Sequence, residues 1–311
     1  MSSPHTYSRA QLERYFDRVQ LPHARRVYNV SALDPVDQLA FLALLQTHNL
    51  CAVPFENLNL HYSQHHQISL DPDVLFHKQV DTPGRGGYCM ENNGLLNIVL
   101  RSLGFNVYSA GARVNGGDSY NGWSHMINLV TIGDQKYMID VGFGPNGATR
   151  PLPLRKDSPD DFTHIAPASV RLVWKNLAEN TDPNQRLWVY QHRIDSHSEF
   201  QDMYCFTELE FLRHDYFLMN YFTSTHPKIW FTQKVICAKM IMGGPDEDAI
   251  IGVIILQDNV KMRSNGKTEV QEEFKSEADR VSALERRFGI SLSRSECEGI
   301  RGMASEIRQA A

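Results

Sequence analysis

The spacing of apolar side chains divides the chain into three stretches. Up to about Gly104 the period is helical. Leu12, Tyr15, Phe16 and Val19 share one face behind a Ser8-x-x-Gln11 capping box. Leu39, Leu42 and Leu45 share another behind Asp34-Pro35, an N-cap followed by proline at the first helical position. A further helix starts near Cys89, with Leu95, Leu96, Val99, Leu100 and Leu103 at helical spacing and Gly104 placed for the left-handed C′ position. From Asn106 to about His192 short apolar runs are broken by Gly, Pro and Asn, which predicts strands over 107–114, 170–174 and 187–191, a hairpin around Gly133-Asp134, and so a β-barrel or sandwich. The last stretch predicts a connecting helix over 208–220, strands around 234–242 and 250–256, and a hairpin turn at Asn265-Gly266. A final helix is capped by Ser276-x-x-Asp279 and carries Val281, Leu284 and Phe288.

Cys89 falls in the first turn of its helix, inside Arg85-Gly86-Gly87-Tyr88-Cys89-Met90-Glu91-Asn92-Asn93. The positive end of a helix dipole, with a suitably placed histidine, favours the reactive thiolate over the thiol. Gly86 and Gly87 let backbone approach closely and leave room that a bulky side chain would fill. An arbitrary lone cysteine is more often buried and inert. The histidine is supplied by the hairpin, where His125 opens the run 126–132 and the chain returns over 135–141 after a two-residue, glycine-first turn. With Ile132 paired to Gln135, Asp140 lies opposite Ile127, and counting by twos puts His125 and Asp140 on one sheet face as diagonal neighbours. A three-residue loop would put them on opposite faces. The pair is either a carboxylate that orients an imidazole able to take the Cys89 proton, or a strand-edge histidine and a turn former.

Residues 85–93 match throughout the R-G-G-x-C-x-E-x-N motif around the nucleophile of arylamine N-acetyltransferases, and the chain resembles that family elsewhere. Val53-Pro54-Phe55-Glu56-Asn57-Leu58 resembles its P-F-E-N-L motif, and His125 with Asp140-Val141-Gly142-Phe143-Gly144 its histidine strand and D-x-G-F-G strand end. More weakly, Asn220-Tyr221-Phe222-Thr223-Ser224-Thr225-His226-Pro227 is similar to the segment entering its last domain. The resemblance runs from about Tyr15 to Phe288. It implies an α+β multidomain fold with a cysteine-protease-like triad: an N-terminal helical domain over 1–104 carrying the nucleophile, a central β-barrel over 105–207 carrying His and Asp, and a connecting helix with a C-terminal α/β lid over 208–311. It implies Cys89 as nucleophile, His125 as base and Asp140 as orienting carboxylate, with Gly122 near the coenzyme A path and Phe55 and Phe143 in substrate binding. Trp123 and Phe143 suit either barrel packing or the walls of an aromatic acceptor pocket, and Arg85 is expected to be structural.

The implied reaction is ping-pong transfer of an acyl group, acetyl first of all, from acyl-coenzyme A to arylamines, arylhydrazines or related aromatic xenobiotics through an acyl-cysteine. Acetyl-CoA or another acyl-CoA is then a co-substrate, with no permanently bound cofactor. Some family members use malonyl donors, so a malonyl- or propionyl-coenzyme A dependent enzyme stays open. So does a cysteine hydrolase or transglutaminase-like amidase, because the same Cys-His-Asp order serves amide chemistry.

At 311 residues the chain exceeds what one core usually organises. A net charge of −5 without a basic run argues against a general nucleic-acid binder. Cys51, Cys89, Cys205, Cys237 and Cys297 form no CxxC, which points to reduced thiols. Met1-Ser-Ser-Pro-His-Thr-Tyr has no apolar segment, and the longest aliphatic stretch, 249–256, is too short to cross a bilayer. A cytoplasmic location with no membrane partner is therefore expected. Gly142-Phe143-Gly144-Pro145-Asn146-Gly147 has dinucleotide-loop spacing, but Pro151 and Pro153 break the helix that should follow. His61, His65 and His66 have no acidic or thiol partner at ligand spacing, so no metal is expected and a solvated loop is. The polar segment 175–186 is expected as a loop between barrel strands, and no motif aligns beyond Ser293.

Overall fold

The computed structural model describes residues 4–157, 159–243 and 248–308. Its first part contains helices α1 (Arg9–Arg18), α2 (Pro35–Ala52), the short α3 (Asn59–Tyr62) and α4 (Pro72–Phe76), and α5 (Cys89–Ser102), with a two-residue strand β1 (Phe55–Glu56) before α3. The expected caps are present: Ser8 and Gln11 form the capping box of α1, and Asp34 accepts the Asp37 N–H at the start of α2. Gly104 follows α5 with φ of +88°, a conformation that suits glycine.

The middle of the chain forms β2 (Asn106–Asn115), β3 (Tyr120–Ile132), β4 (Gln135–Ile139), β5 (Leu152–Pro153), β6 (Phe162–Thr163), β7 (Ser169–Lys175), β8 (Leu187–Arg193) and β9 (Gln201–Phe206). They build one antiparallel sheet in the order β5-β4-β3-β2-β9-β8-β7-β6. It curls around Ile127, Leu129, Met138, Trp188, Tyr190, Tyr204 and Phe206 as a half-barrel. Residues 176–186 connect β7 to β8 as the expected polar loop.

The last part contains α6 (Arg213–Thr225), α7 (Trp230–Gln233), β10 (Cys237–Met242), β11 (Ile250–Leu256), β12 (Asn259–Ser264), β13 (Lys267–Glu273), α8 (Glu277–Phe288) and α9 (Arg294–Gly299). Its sheet, in the order β1-β10-β11-β12-β13, borrows β1 from beside the loop that leads into α5, through Phe55↔Ala238 and Glu56↔Cys237. One core joins all three parts: buried faces of α1, α2 and α5 pack with Val130, Ile132 and Ile139 of the hairpin and Met240 and Val253 of the last sheet. Such shared burial fixes the relative positions of side chains brought from distant segments.

Two expectations are corrected. The connecting helix runs over Arg213–Thr225 rather than 208–220. Glu208 is drawn to the barrel instead, accepting from Lys136 and Trp188, while the Phe211 N–H binds the Ser109 carbonyl. Leu212 then caps the helix, its N–H bound to the Asp215 side chain. The histidine segment is not a solvated loop throughout, since His61 is fully buried. The segment beyond Ser293 encloses it: His61 Nδ1 lies 2.8 Å from Ser305 Oγ, and the Ser305 carbonyl accepts from Arg280. Burial lowers the His61 pKa to about 4. Among the described residues no helix is long and apolar enough to cross a membrane.

Candidate active site

The loop before α5 is pinned by ionised groups. Arg85 Nε lies 3.1 Å from Glu56 Oε1, an oxygen that also takes the Gly86 N–H, and Glu56 Oε2 accepts the Leu58 N–H at 2.7 Å. Burial alone would raise the Glu56 pKa, but the nearby Arg85 and Lys78 charges outweigh it and hold the carboxyl at about 2. Arg85 is thus a buried structural cation, as expected. A Cβ on Gly86 would stand 1.9 Å from the Pro54 carbonyl oxygen, so only glycine fits there. On the other side Glu91 accepts the Tyr88 N–H at 3.0 Å and Lys78 at 2.7 Å. The backbone entering α5 is held from both flanks, with Cys89 at the first helical position.

The hairpin has the register derived from its turn. Ile132 pairs with Gln135 and Asn128 with Ile139, and Gly133 has φ of +57°. His125 Nε2 consequently lies 2.7 Å from Asp140 Oδ2. Asp140 also accepts from Tyr204 Oη at 2.9 Å, Asn93 Nδ2 at 2.8 Å and the Gly142 N–H at 2.8 Å. Burial opposes its charge, but His125 and these donors outweigh it and lower its pKa. Burial likewise disfavours the imidazolium, yet the Asp140 charge and hydrogen bond dominate, and His125 is raised to about 10. Cys89 adds to that shift by a hydrogen bond to the ring, which leaves only Nδ1 for the thiol, since Nε2 is held by Asp140. Cys89 Sγ also lies 3.7 Å from the Ser124 carbonyl oxygen. A Cβ on Gly142 would approach Cys89 Cα to 2.7 Å, so glycine lets the D-x-G-F-G segment pass against Cys89. The geometry can generate a thiolate–imidazolium pair with the ring's tautomer fixed by a carboxylate.

Cys89 and His125 line a cleft of about 500 Å³. It is also lined by Phe55, Trp123 and Phe143, by Phe222 and Thr223 of α6 and by the 228–231 segment, with the Phe55 and Phe231 rings meeting edge-on at 5.9 Å. Phe143 is both packing and wall: its ring meets His125 edge-on at 5.2 Å and Tyr204 at 4.8 Å. Gly122 also lines the cleft, with nothing within 4 Å of where a Cβ would be. The 228–231 wall is anchored by Asn57, which donates to the Phe231 and Lys234 carbonyls and accepts the Ile236 N–H. Sequence reasoning missed Asn93 as the strut between α5 and the hairpin, though it closes the R-G-G-x-C-x-E-x-N pattern. It also missed Tyr204, for which no local signal exists, and the place of α6 and α7 in the cleft wall, where the only pointer was the resemblance of 220–227 to the family's last-domain segment. Among the described residues no group of three or more His, Cys, Asp or Glu could hold a metal ion.

The family model described as N-acetyltransferase matches residues 38–297. The chain belongs to the N-acetyltransferase family. It is 37% identical to N-malonyltransferase FDB2 of Fusarium pseudograminearum over 96% of this chain and 94% of the relative. It is 30% identical to the arylamine N-acetyltransferase of Escherichia coli over 90% of this chain and 89% of that one. A solved Mycobacterium marinum arylamine N-acetyltransferase in complex with CoA superposes with a TM-score of 0.73 at 27% identity, covering 93% of this chain and 97% of that one. This N-acetyltransferase family member is accordingly an acyl-CoA-dependent N-acyltransferase with the multidomain α+β fold of its relatives and acyl-CoA as co-substrate.

Proposed function

We propose that this enzyme transfers a short acyl group from acyl-coenzyme A to the nitrogen of an aromatic amine through an acyl-Cys89 intermediate. The observation that carries the reading is a thiol at the first position of a helix beside an imidazole whose far nitrogen is held by a four-donor carboxylate, both on an aromatic-walled cleft. The Cys89 thiolate attacks the thioester carbonyl, the bond to the coenzyme A sulfur breaks, and the departing thiolate takes the His125 proton. The amine nitrogen then attacks the acyl-cysteine and the carbon–sulfur bond to Cys89 breaks. The proton lost by nitrogen goes to His125, restoring the starting pair. Asp140 holds the ring in the required tautomer and stabilises its charged form. Phe55, Trp123 and Phe143 suit a flat acceptor by stacking and edge contacts, and Gly122 leaves room for the pantetheine arm. Reduced thiols and an acyl-coenzyme A supply agree with action in the cytoplasm. A malonyl donor is a second reading, favoured by the 37% identity to N-malonyltransferase FDB2 over nearly the whole of both chains.

Intact and peptide mass spectrometry after mixing the protein with acetyl-, propionyl- or malonyl-coenzyme A tests the reading. An adduct on the Cys89 peptide that an arylamine discharges is expected. Loss of the acyl group to water at the same rate without amine would overturn transfer in favour of a hydrolase.

A further inference from the structure

The turn that follows the D-x-G-F-G strand end is held by its carbonyls. Four in succession accept from side chains of four different elements: Pro145 from Arg263 Nη2 on β12, Asn146 from Tyr190 Oη on β8 at 2.8 Å, Gly147 from His164 Nε2 just after β6 at 2.8 Å, and Ala148 from Gln46 Nε2 on α2 at 2.9 Å. Arg263 adds a second bond, from Nη1 to Asn146 Oδ1 at 2.8 Å, so its planar fork spans two residues of the turn. Burial lowers the Arg263 pKa and only Tyr190 works against that, with no carboxylate partner among the described residues. A cation withdrawn from water without a counter-charge adds little stability, so the distinctive consequence of Arg263 is where it fixes the turn. At its head the turn meets two of the aromatic side chains that line the cleft. The Phe143 ring packs edge-on against His125 and Tyr204, and a Cβ on Gly144 would come within 3.0 Å of the Phe55 ring, so Phe55 rests against the turn's backbone. Phe55 belongs to β1, in the same sheet as β12. One sheet thus supplies Phe55 directly and holds the turn behind Phe143 through Arg263. The triad is held separately: the Asp140 carboxylate and the His125 ring take no hydrogen bond from residues 143–148.

We propose that Arg263 is a positioning residue for the acceptor: by fixing the turn at Pro145 and Asn146 it sets Phe143 relative to Phe55, and so governs how an aromatic amine is seated on the acyl-enzyme without acting on the acylation of Cys89. This rests on the reading of Cys89 as the acyl carrier and of the acceptor as aromatic. Phe143 and Phe55 are the groups an acceptor ring touches, and Arg263 acts through them. Aromatic contacts depend on ring separation and angle, and a misplacement of about 1 Å in a reacting complex costs about 10²-fold. A small acceptor without a ring has no such contacts to lose.

The experiment separates the two half-reactions of the full chain. Cys89 is acylated with acetyl- or malonyl-CoA, read as coenzyme A release in a single turnover, and the isolated acyl-enzyme is then discharged with aniline or with hydrazine, read as loss of the adduct mass. Arg263→Met keeps an unbranched stem and removes the fork. It should raise the half-saturating aniline concentration about tenfold or more, while acylation and discharge by hydrazine stay within about threefold of wild type. Asn146→Ala removes only the Nη1 acceptor, so it should shift the aniline dependence in the same direction by less, and adding it to Arg263→Met should change little further. Should Arg263→Met fail to fold, Asn146→Ala alone decides. Equal losses with aniline and hydrazine, an unchanged aniline dependence in the variants, acylation that slows in step with discharge, or additive effects of the two substitutions would each overturn the proposal. A wild type that forms no adduct on Cys89, or whose adduct aniline discharges no faster than water does, would instead overturn the acyl-transfer reading, and this assignment with it.

Discussion

Asn93 is fully buried, and its side chain joins α5 to both strands of the hairpin: Nδ2 donates to the Met126 carbonyl at 2.7 Å and to Asp140 Oδ1 at 2.8 Å, while Oδ1 accepts the Val141 N–H at 3.0 Å. Asn93→Ala removes all three bonds. The buried Val141 N–H then loses its partner, a loss of about 1–3 kcal/mol. Asp140 keeps His125, Tyr204 and Gly142 but loses one bond to an ionised group, which contributes about 1.5–3 kcal/mol. Bonds sharing one network are not additive, so the expected total is about 3–5 kcal/mol. At the usual unfolding entropy per residue, a chain of this length should melt roughly 5–8 °C lower. With one fewer donor fixing its carboxylate, the His125 ring is held less tightly over Cys89, and acylation should slow about tenfold or more. Asn97 supplies the control one turn along α5: it is similarly buried and donates to Asn128 Oδ1 at 2.8 Å, with no bond to Asp140. Asn97→Ala should lose stability yet keep the acylation rate per folded molecule. Thermal melts and stopped-flow coenzyme A release read the two effects separately. An Asn93→Ala melting point within a degree of wild type, or equal acylation rates for the two variants, would refute this account of how the triad is held.

Arg85→Met should cost about 3–5 kcal/mol, because it leaves the Glu56 carboxylate buried with less compensation, and the loss should shrink in urea titrations at pH 4.5 relative to pH 7, where Glu56 stays ionised. Gly142→Ala sets a Cβ against Cys89 Cα and should lower the acylation rate roughly 10²-fold, measured beside a melt that shows whether the fold survives. Burial, aided by the His192 and Arg263 charges, depresses His164 to about 3, so the ring stays neutral in the fold while the unfolded chain gains a proton below about pH 6.5. Stability should therefore fall as pH drops, by about 1.4 kcal/mol per pH unit from this residue between those limits, and His164→Asn should lose that slope; an unchanged slope would show that His164 does not contribute. His125 is raised to about 10, so its contribution to stability is present below pH 6.5 and fades only as pH approaches 10. The alkaline limb of acylation should correspondingly fall near 10, and a limb near 6.5 would mean that Asp140 does not hold the ring charge.

What local pattern encodes was legible, and what distant segments assemble was not. Gly133-Asp134 specifies a turn with one register, and that register alone carries His125 to Asp140. Cys89 at a helix start follows from the apolar spacing of Leu95, Leu96 and Val99, which α5 confirms. The helix over 208–220 was misplaced because a polar–apolar sequence there suits a helix, while the Glu208 side chain is claimed by Lys136 and Trp188 of the barrel. His61 gave no sign of burial because the groups that cover it, Ser305 and the Phe231 carbonyl, come from residues more than a hundred positions away. The same reason hid Tyr204, which reaches Asp140 from β9, and β1, which is too short to carry a period.

The charges around Cys89 are arranged in two groups with different consequences. Behind the start of α5, Lys78 bonds Glu91 at 2.7 Å and approaches Glu56 at 3.5 Å, and Arg85 completes the set by pairing with Glu56. Two cations meet two carboxylates, so this network pins the loop while adding little net field at the sulfur. In front, no acidic side chain among the described residues lines the cleft, and the buried carboxylate on the hairpin side, Asp140, is spent on His125. The sulfur therefore faces mainly the positive end of α5 and the His125 ring. Replacing Lys78 by Met should break this separation. Burial already raises the Glu91 pKa and Lys78 opposes that shift, so without Lys78 the carboxyl should take up a proton at milder acidity. Any Glu91 that stays ionised places an uncompensated negative charge two residues from Cys89. Alkylation of Cys89 by iodoacetamide should then slow at neutral pH and recover partly as Glu91 protonates. A Lys78→Met variant that alkylates as fast as wild type across that range would show that the rear network only holds the loop.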